Sequence, residues 1–174
     1  MKIKEMTRIA LMVCVITICS WLTIPVAVPY TMQTFAVFCT LLLLGGRYGL
    51  ATIIVYVIMG CMGLPVFSGF RGGIAHIMGP TGGYIIGFIF TAAFYWLFEP
   101  LHCKYSKLRL PVLAGGLMLC YLIGTVWFKV VYGTRGTSYS ALMVISICVL
   151  PYVVPDLIKL ALAWIISNRI KQWT

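Results

Sequence analysis

Residues 65–84 read PVFSGFRGGIAHIMGPTGGY. The stretch is rich in glycine, carries Arg71 and His76, and is flanked on both sides by continuous apolar runs. Glycine and proline at this density interrupt regular structure, so the segment reads as a loop between helices. In a chain this hydrophobic, irregular backbone is tolerated only where protein covers it or where it lines a cavity. The loop is therefore expected to roof a ligand site.

Outward from that loop, composition decides the class. The chain has 174 residues, 62% of them hydrophobic and only 9% charged, and its mean hydropathy is +1.05. A soluble domain of this size needs far more surface charge. The apolar runs are continuous rather than alternating, which argues against a transmembrane barrel and for an all-α integral membrane protein. No long polar linker divides it, so residues 1–174 read as a single transmembrane substrate-binding domain. The net charge of +10 does not signal nucleic acid, because the bases sit mainly in short loops between apolar runs, as membrane topology requires. Of the seven cysteines, nearly all fall inside apolar runs. With no CxxC and no Cys/His pair at zinc spacing, neither a metal site nor a disulfide framework is indicated, and nothing calls for a cofactor. The first run lacks a small-x-small cleavage site before Pro25 and is kept as a span of the mature protein.

A bilayer core needs about 20 helical residues. Six spans are predicted, at 9–24, 34–44, 48–64, 81–101, 110–131 and 154–167. The second is short. Residues 140–150 are a separate apolar element, cut from the last span by Pro151 and Pro155, and Pro155 is expected in the first turn of that span, where its missing N–H is harmless. With the N-terminus in the cytosol, Lys2, Lys4, Arg8, Arg47, Lys104, Lys107, Arg109, Arg169 and Lys171 lie inside, which is nine of the thirteen bases. Arg71, Lys129, Arg135 and Lys159 remain for the outer half. Both termini are thus expected in the cytosol.

This topology brings three distant features to the outer leaflet. They are residues 30–34 with Gln33, the 65–84 loop with Arg71, His76 and Tyr84, and Asp156 with Lys159. Each enters an inward-running helix at its N-terminus, where free N–H groups favour anions. Asp156 is the one acid placed away from the cytosolic edge, since Glu5 and Glu99 fall at inner ends. An ionisable residue within a span points to function by default. Asp156 and Lys159 share one helix face, and three readings stay open: a ligand site, a mutual ion pair, or an acid that complements the helix dipole. Gln33 alone reads as interfacial. Arg71 reads either as a site cation or as a contact for headgroups, and His76 as a loop residue meeting headgroups or water rather than as a ligand contact or proton relay. Gly79–Gly83 reads as a turn before a helix, and Gly83 with Gly87 as a helix-packing pair.

An ordered set of motifs runs through nearly the whole chain. It comprises Ile24-Pro25 through Pro29-Tyr30-Thr31-Met32-Gln33-Thr34, then Leu43-Leu44-Gly45-Gly46-Arg47-Tyr48-Gly49, then Gly60-Cys61-Met62-Gly63-Leu64-Pro65-Val66-Phe67. Gly72-Gly73, Gly79-Pro80-Thr81-Gly82-Gly83-Tyr84 and Pro155-Asp156-Leu157-Ile158-Lys159 complete it. By these residues the chain resembles BioY, the membrane-embedded S-component family of energy-coupling factor (ECF) transporters for biotin. The resemblance implies six helices, capture of biotin from outside, no enzymatic activity, and partners in a transmembrane coupling protein and a pair of cytosolic ATPases. In keeping with that, the chain has no G-x-x-x-x-G-K-[ST] phosphate loop. S-components carry small residues spaced Ala-x3-Ala on the first helix for docking the coupling subunit. Here the matching positions are Ala10 and Cys14, and cysteine is still small. A second departure is that Pro155 adjoins Asp156 directly, where the family often has a glycine between them.

Biotin chemistry suits these residues. Its ureido ring offers two N–H donors and a carbonyl, which Asp156 and Gln33 complement. The thiophane ring and valeryl chain want an apolar sleeve, for which Met32, Phe35, Tyr84 and the 140–150 element are candidates. The carboxylate tail wants a cation, Lys159 or Arg71. Two other classes stay open. One is an S-component for a different vitamin or small metabolite, which would be separated from this one by whether binding needs the carboxylate tail. The other is a proton-coupled secondary transporter working through Asp156, which would transport without ATPase partners but usually shows internal repeats that this chain lacks.

Overall fold

The structure is a computed structural model and describes residues 3–24, 30–134 and 140–172. Its helices are α1 (Ile3–Trp21), α2 (Gln33–Cys61), α3 (Ile74–Ile77), α4 (Gly82–Leu97), α5 (Glu99–Lys104), α6 (Arg109–Thr134), α7 (Ala141–Cys148) and α8 (Leu150–Gln172). Among the described residues, three helical stretches suit a membrane crossing by length and composition: Gln33–Cys61, Arg109–Thr134 and Leu150–Ile170. Gly82–Leu97 is a shorter apolar helix. On α6, Met118, Leu122, Val126 and Val130 are all more than half exposed at i+4 spacing, an apolar stripe that water would not tolerate and lipid does. The chain is an all-α, multi-pass membrane protein.

The first apolar run ends sooner than its hydropathy predicts. Helix α1 stops at Trp21, and Thr23–Ile24 (β1) pairs antiparallel with Tyr30–Thr31 (β2), Thr23 opposite Thr31. The end of α1 is held by the 65–84 loop. Ser20 donates to the Val66 carbonyl at 2.6 Å and the Trp21 indole to the Pro65 carbonyl at 2.8 Å. Trp21 also stacks on Phe70, centroids 4.7 Å apart. Pro25, Pro29 and Arg135 lie outside the described residues, as does Lys2.

Helix α2 is a hairpin rather than a straight rod. A straight helix would separate residues 33 and 56 by about 35 Å at 1.5 Å per residue. Instead the Gln33 amide donates to the Tyr56 hydroxyl at 2.9 Å. The reversal sits at Gly45, whose φ of 79° and ψ of 178° suit glycine and few other residues. Glu99, just beyond α4, accepts from the Gly46 N–H at 3.0 Å and so holds the turn. The two arms, 33–44 and 46–61, match the second and third runs of the sequence.

Helices α4 and α6 pack closely through small residues. A methyl group placed on Gly83 would lie 2.2 Å from Trp127, and one on Gly87 would lie 2.7 Å from the Cys120 sulfur. Gly124 on α6 receives the Tyr84 ring in the same way. Gly83 and Gly87 are thus packing residues, as their spacing predicts. Thr91 adds a hydrogen bond between the helices, 2.8 Å to the Gly116 carbonyl.

The last two helices correct one boundary. The apolar element expected at 140–150 is α7, but α8 begins at Leu150, not at 154. Pro151, not Pro155, occupies its first turn. Pro155 lies inside the helix, where its missing N–H leaves the Pro151 carbonyl without a helical donor.

Candidate functional site

The centre of the site is an ion pair buried where α8 meets the start of α2. Asp156 and Lys159 project from one face of α8, 3% and 4% exposed respectively, with the ammonium 2.8 Å from Oδ1. Lys159 also donates to the Thr31 carbonyl at 2.7 Å and to Thr34 Oγ1 at 3.2 Å, and lies 4.2 Å from the Tyr30 ring centroid. Asp156 accepts from the Thr34 hydroxyl at 2.9 Å on Oδ1 and from the Tyr121 hydroxyl at 2.6 Å on Oδ2. Burial and the nearby Asp156 charge push the Tyr30 phenol above its ordinary pKa.

An ammonium carries three N–H groups, and Lys159 uses all three on the protein. A carboxylate presents about four acceptor positions, and Asp156 uses three. The remaining one is on Oδ2, the oxygen that Tyr121 touches. Of the readings left open by the sequence, the mutual ion pair is made, and it leaves one acceptor position on Asp156.

A cavity of about 70 Å³ adjoins the pair, enough for several waters or part of a ligand. All three outer features of the sequence reach it: Thr31, Gln33 and Thr34, then Ser68, His76 and Tyr84, then Asp156 and Lys159. Ile85, Phe88 and Leu117 supply its apolar wall; Met32 and Phe35 are not among the lining residues. Gln33 is fixed through Tyr56, whose hydroxyl donates to the Val66 carbonyl at 3.0 Å. The same carbonyl holds Ser20, so the cavity edge and the end of α1 are tied to one point of the loop.

Two buried polar atoms on the cavity wall lack a hydrogen-bond partner among the described residues: the Tyr84 hydroxyl and His76 Nε2. The Tyr84 hydroxyl faces Thr125 and Cys148 without a bond of good geometry. A buried polar group left unpaired costs about 1–3 kcal/mol, which a bound ligand could relieve. The expectation for His76 is corrected here. Its ring stacks on the fully buried Phe67, centroids 5.3 Å apart, and faces the cavity rather than headgroups. The short helix α3 turns it inward. Burial, and then the Arg71 charge, hold its imidazole below the ordinary histidine pKa. Arg71 itself is exposed and does not line the cavity. Its carbonyl accepts from the Phe67 N–H at 2.9 Å, closing the loop beneath Phe70, which has a φ of 57°.

Tyr121 is the main site residue that sequence reasoning missed. It had a signal. Tyrosine favours membrane interfaces, and position 121 is at the middle of the 110–131 run. Cys148, from the 140–150 element expected to supply part of the sleeve, lines the cavity, and so does Tyr152, which carried no such mark. Away from the cavity, Ala10 and Cys14 both lie on an exposed face of α1. Among the described residues, no group of three His, Cys, Asp or Glu side chains is placed to hold a metal ion.

A profile of the BioY family matches residues 1–174. The chain is 38% identical over 172 residues to a probable biotin transporter BioY of Pyrococcus horikoshii, an alignment covering 98% of each. It is 34% identical over 170 residues to the biotin transporter BioY of Thermotoga maritima, covering 97% of this chain and 96% of that one. Its fold is similar to the crystal structure of the S-component for biotin from an ECF-type ABC transporter, with a TM-score of 0.83, 27% identity, and 98% and 92% of the two chains covered.

Proposed function

Because the chain belongs to the BioY family, we propose that it is the biotin-binding S-component of an ECF transporter, capturing biotin at the outer face for ATP-driven import by partner subunits. The observation that carries this reading is the spare acceptor position on buried Asp156, beside a cavity with an apolar wall and two further unpartnered polar atoms. Biotin is complementary to that set. One ureido N–H goes to Asp156 Oδ2, with Gln33 beside it. The thiophane ring and valeryl chain lie along Ile85, Phe88 and Leu117. The carboxylate tail goes toward Tyr84 and the loop that carries Arg71. Lys159 takes part by holding Asp156 in place, since its own donors are spent.

In this reading residues 1–174 form one domain in the bacterial cytoplasmic membrane. The two arms of α2 are separate crossings, which makes six, with both termini in the cytosol. The bias of bases toward that side supports the assignment. The exposed small residues Ala10 and Cys14 dock the transmembrane coupling subunit, and cytosolic ATPases supply the hydrolysis for which this chain has no phosphate loop. Native mass spectrometry of the purified protein tests the ligand. An adduct with the mass of biotin, lost on exhaustive exchange and regained on adding biotin, is expected. A regained adduct with another vitamin but not with biotin would overturn the assignment.

A further inference from the structure

We propose that His76 is a proton-linked contact for the ligand's carboxylate: it takes up one proton as the anion enters, so the site binds more tightly as the pH falls. The inference rests on the biotin reading above and adds its regulation. Two observations carry it. His76 Nε2 is buried in the cavity wall with no partner, and the ring is held face-on by Phe67, so Nε2 stays directed where it is. The Tyr84 hydroxyl on the same wall is likewise unpartnered. A carboxylate oxygen accepts from both, and a full positive charge on the imidazole strengthens that bond.

The surroundings set the sign. Before ligand enters, burial and Arg71 both disfavour the imidazolium. An anion at Nε2 favours the charged form. The bound state therefore holds more protons than the free state, and affinity rises as pH falls, by at most about tenfold per pH unit for one proton. The other titratable groups on the cavity are Tyr84 on α4, Cys120 and Tyr121 on α6, Cys148 on α7, and Tyr152, Asp156 and Lys159 on α8. Histidine is the side chain that ordinarily changes charge between pH 5 and 8. The chain has two, and the second, His102, is packed against Tyr95 and away from the cavity.

Calorimetric titration between pH 5.5 and 8, in buffers of different ionisation enthalpy, reads proton uptake directly. Biotin is expected to bind with uptake of a fraction of a proton near pH 7, approaching one where the slope is steepest. Biotinamide, whose tail is neutral, is expected to bind with none. His76→Gln should abolish the uptake with biotin, and His102→Gln should leave it in place. Binding of biotin without proton uptake, equal uptake with biotinamide, or uptake that survives His76→Gln would each overturn the proposal while leaving the biotin reading standing. No binding of biotin at any pH would overturn both. The comparison of biotin with biotinamide uses the unaltered protein, so it decides the matter even if His76→Gln fails to fold.

Discussion

Lys159→Ala separates two roles for that lysine. If it met the ligand's tail, the substitution would weaken biotin and spare biotinamide. The geometry indicates otherwise, because its three N–H groups go to Asp156, Thr34 and the Thr31 carbonyl at 2.8, 3.2 and 2.7 Å. The pair is almost fully buried. Removing one partner of such a pair costs about 3–5 kcal/mol, because the other charge is left uncompensated. In chains of this size that corresponds to a fall in Tm of roughly 6–20 °C without ligand. Asp156 then loses the group that fixes it, and its hydrogen bond to the ureido ring, worth about 1.5–3 kcal/mol, weakens for any ligand with that ring. Biotin and biotinamide should therefore lose affinity together, by roughly tenfold to a hundredfold. The assay is calorimetry with both ligands on the folded variant, paired with thermal unfolding of the ligand-free protein. A selective loss of biotin, with biotinamide binding and Tm unchanged, would refute the argument and put Lys159 at the tail.

Two further outcomes concern surfaces away from the ion pair. Cys14→Trp places a large ring on the exposed face of α1 and should leave biotin binding intact while ATP-driven uptake with partner subunits falls; equal loss of both would mean the change reaches the pocket or the fold. The 65–84 loop carries His76 to the cavity and is anchored to α1 through Val66 and Pro65, so biotin should slow hydrogen exchange across residues 67–78. Identical exchange with and without biotin would count against the loop as a lid.

The helices and the meeting of three distant segments were legible because they depend on hydrophobic run length and on punctuation by Gly45, Pro65 and Pro80. Which face of each helix turns inward was not. In a membrane, lipid and core are equally apolar, so Leu117 and Met118 look alike in the sequence, although one is 3% exposed and the other 58%. The tyrosine at 121 was visible in mid-run, but that it turns toward Asp156 was not. His76 was misjudged because only the packing of α3 and Phe67 decides which way a loop side chain points. The start of α8 was misplaced because proline marks a first turn in most helices but can sit further in where its neighbours absorb the lost hydrogen bond.

The central claim is that biotin sits against Asp156, and titration of biotin into the unaltered protein and into Asp156→Asn tests it most directly. One biotin per chain is expected to bind saturably, weakened roughly tenfold to a hundredfold in the variant by loss of a charged acceptor. Equal affinity in the folded Asp156→Asn protein would remove the ion pair from the site, and absence of binding in the unaltered protein would contradict the account as a whole.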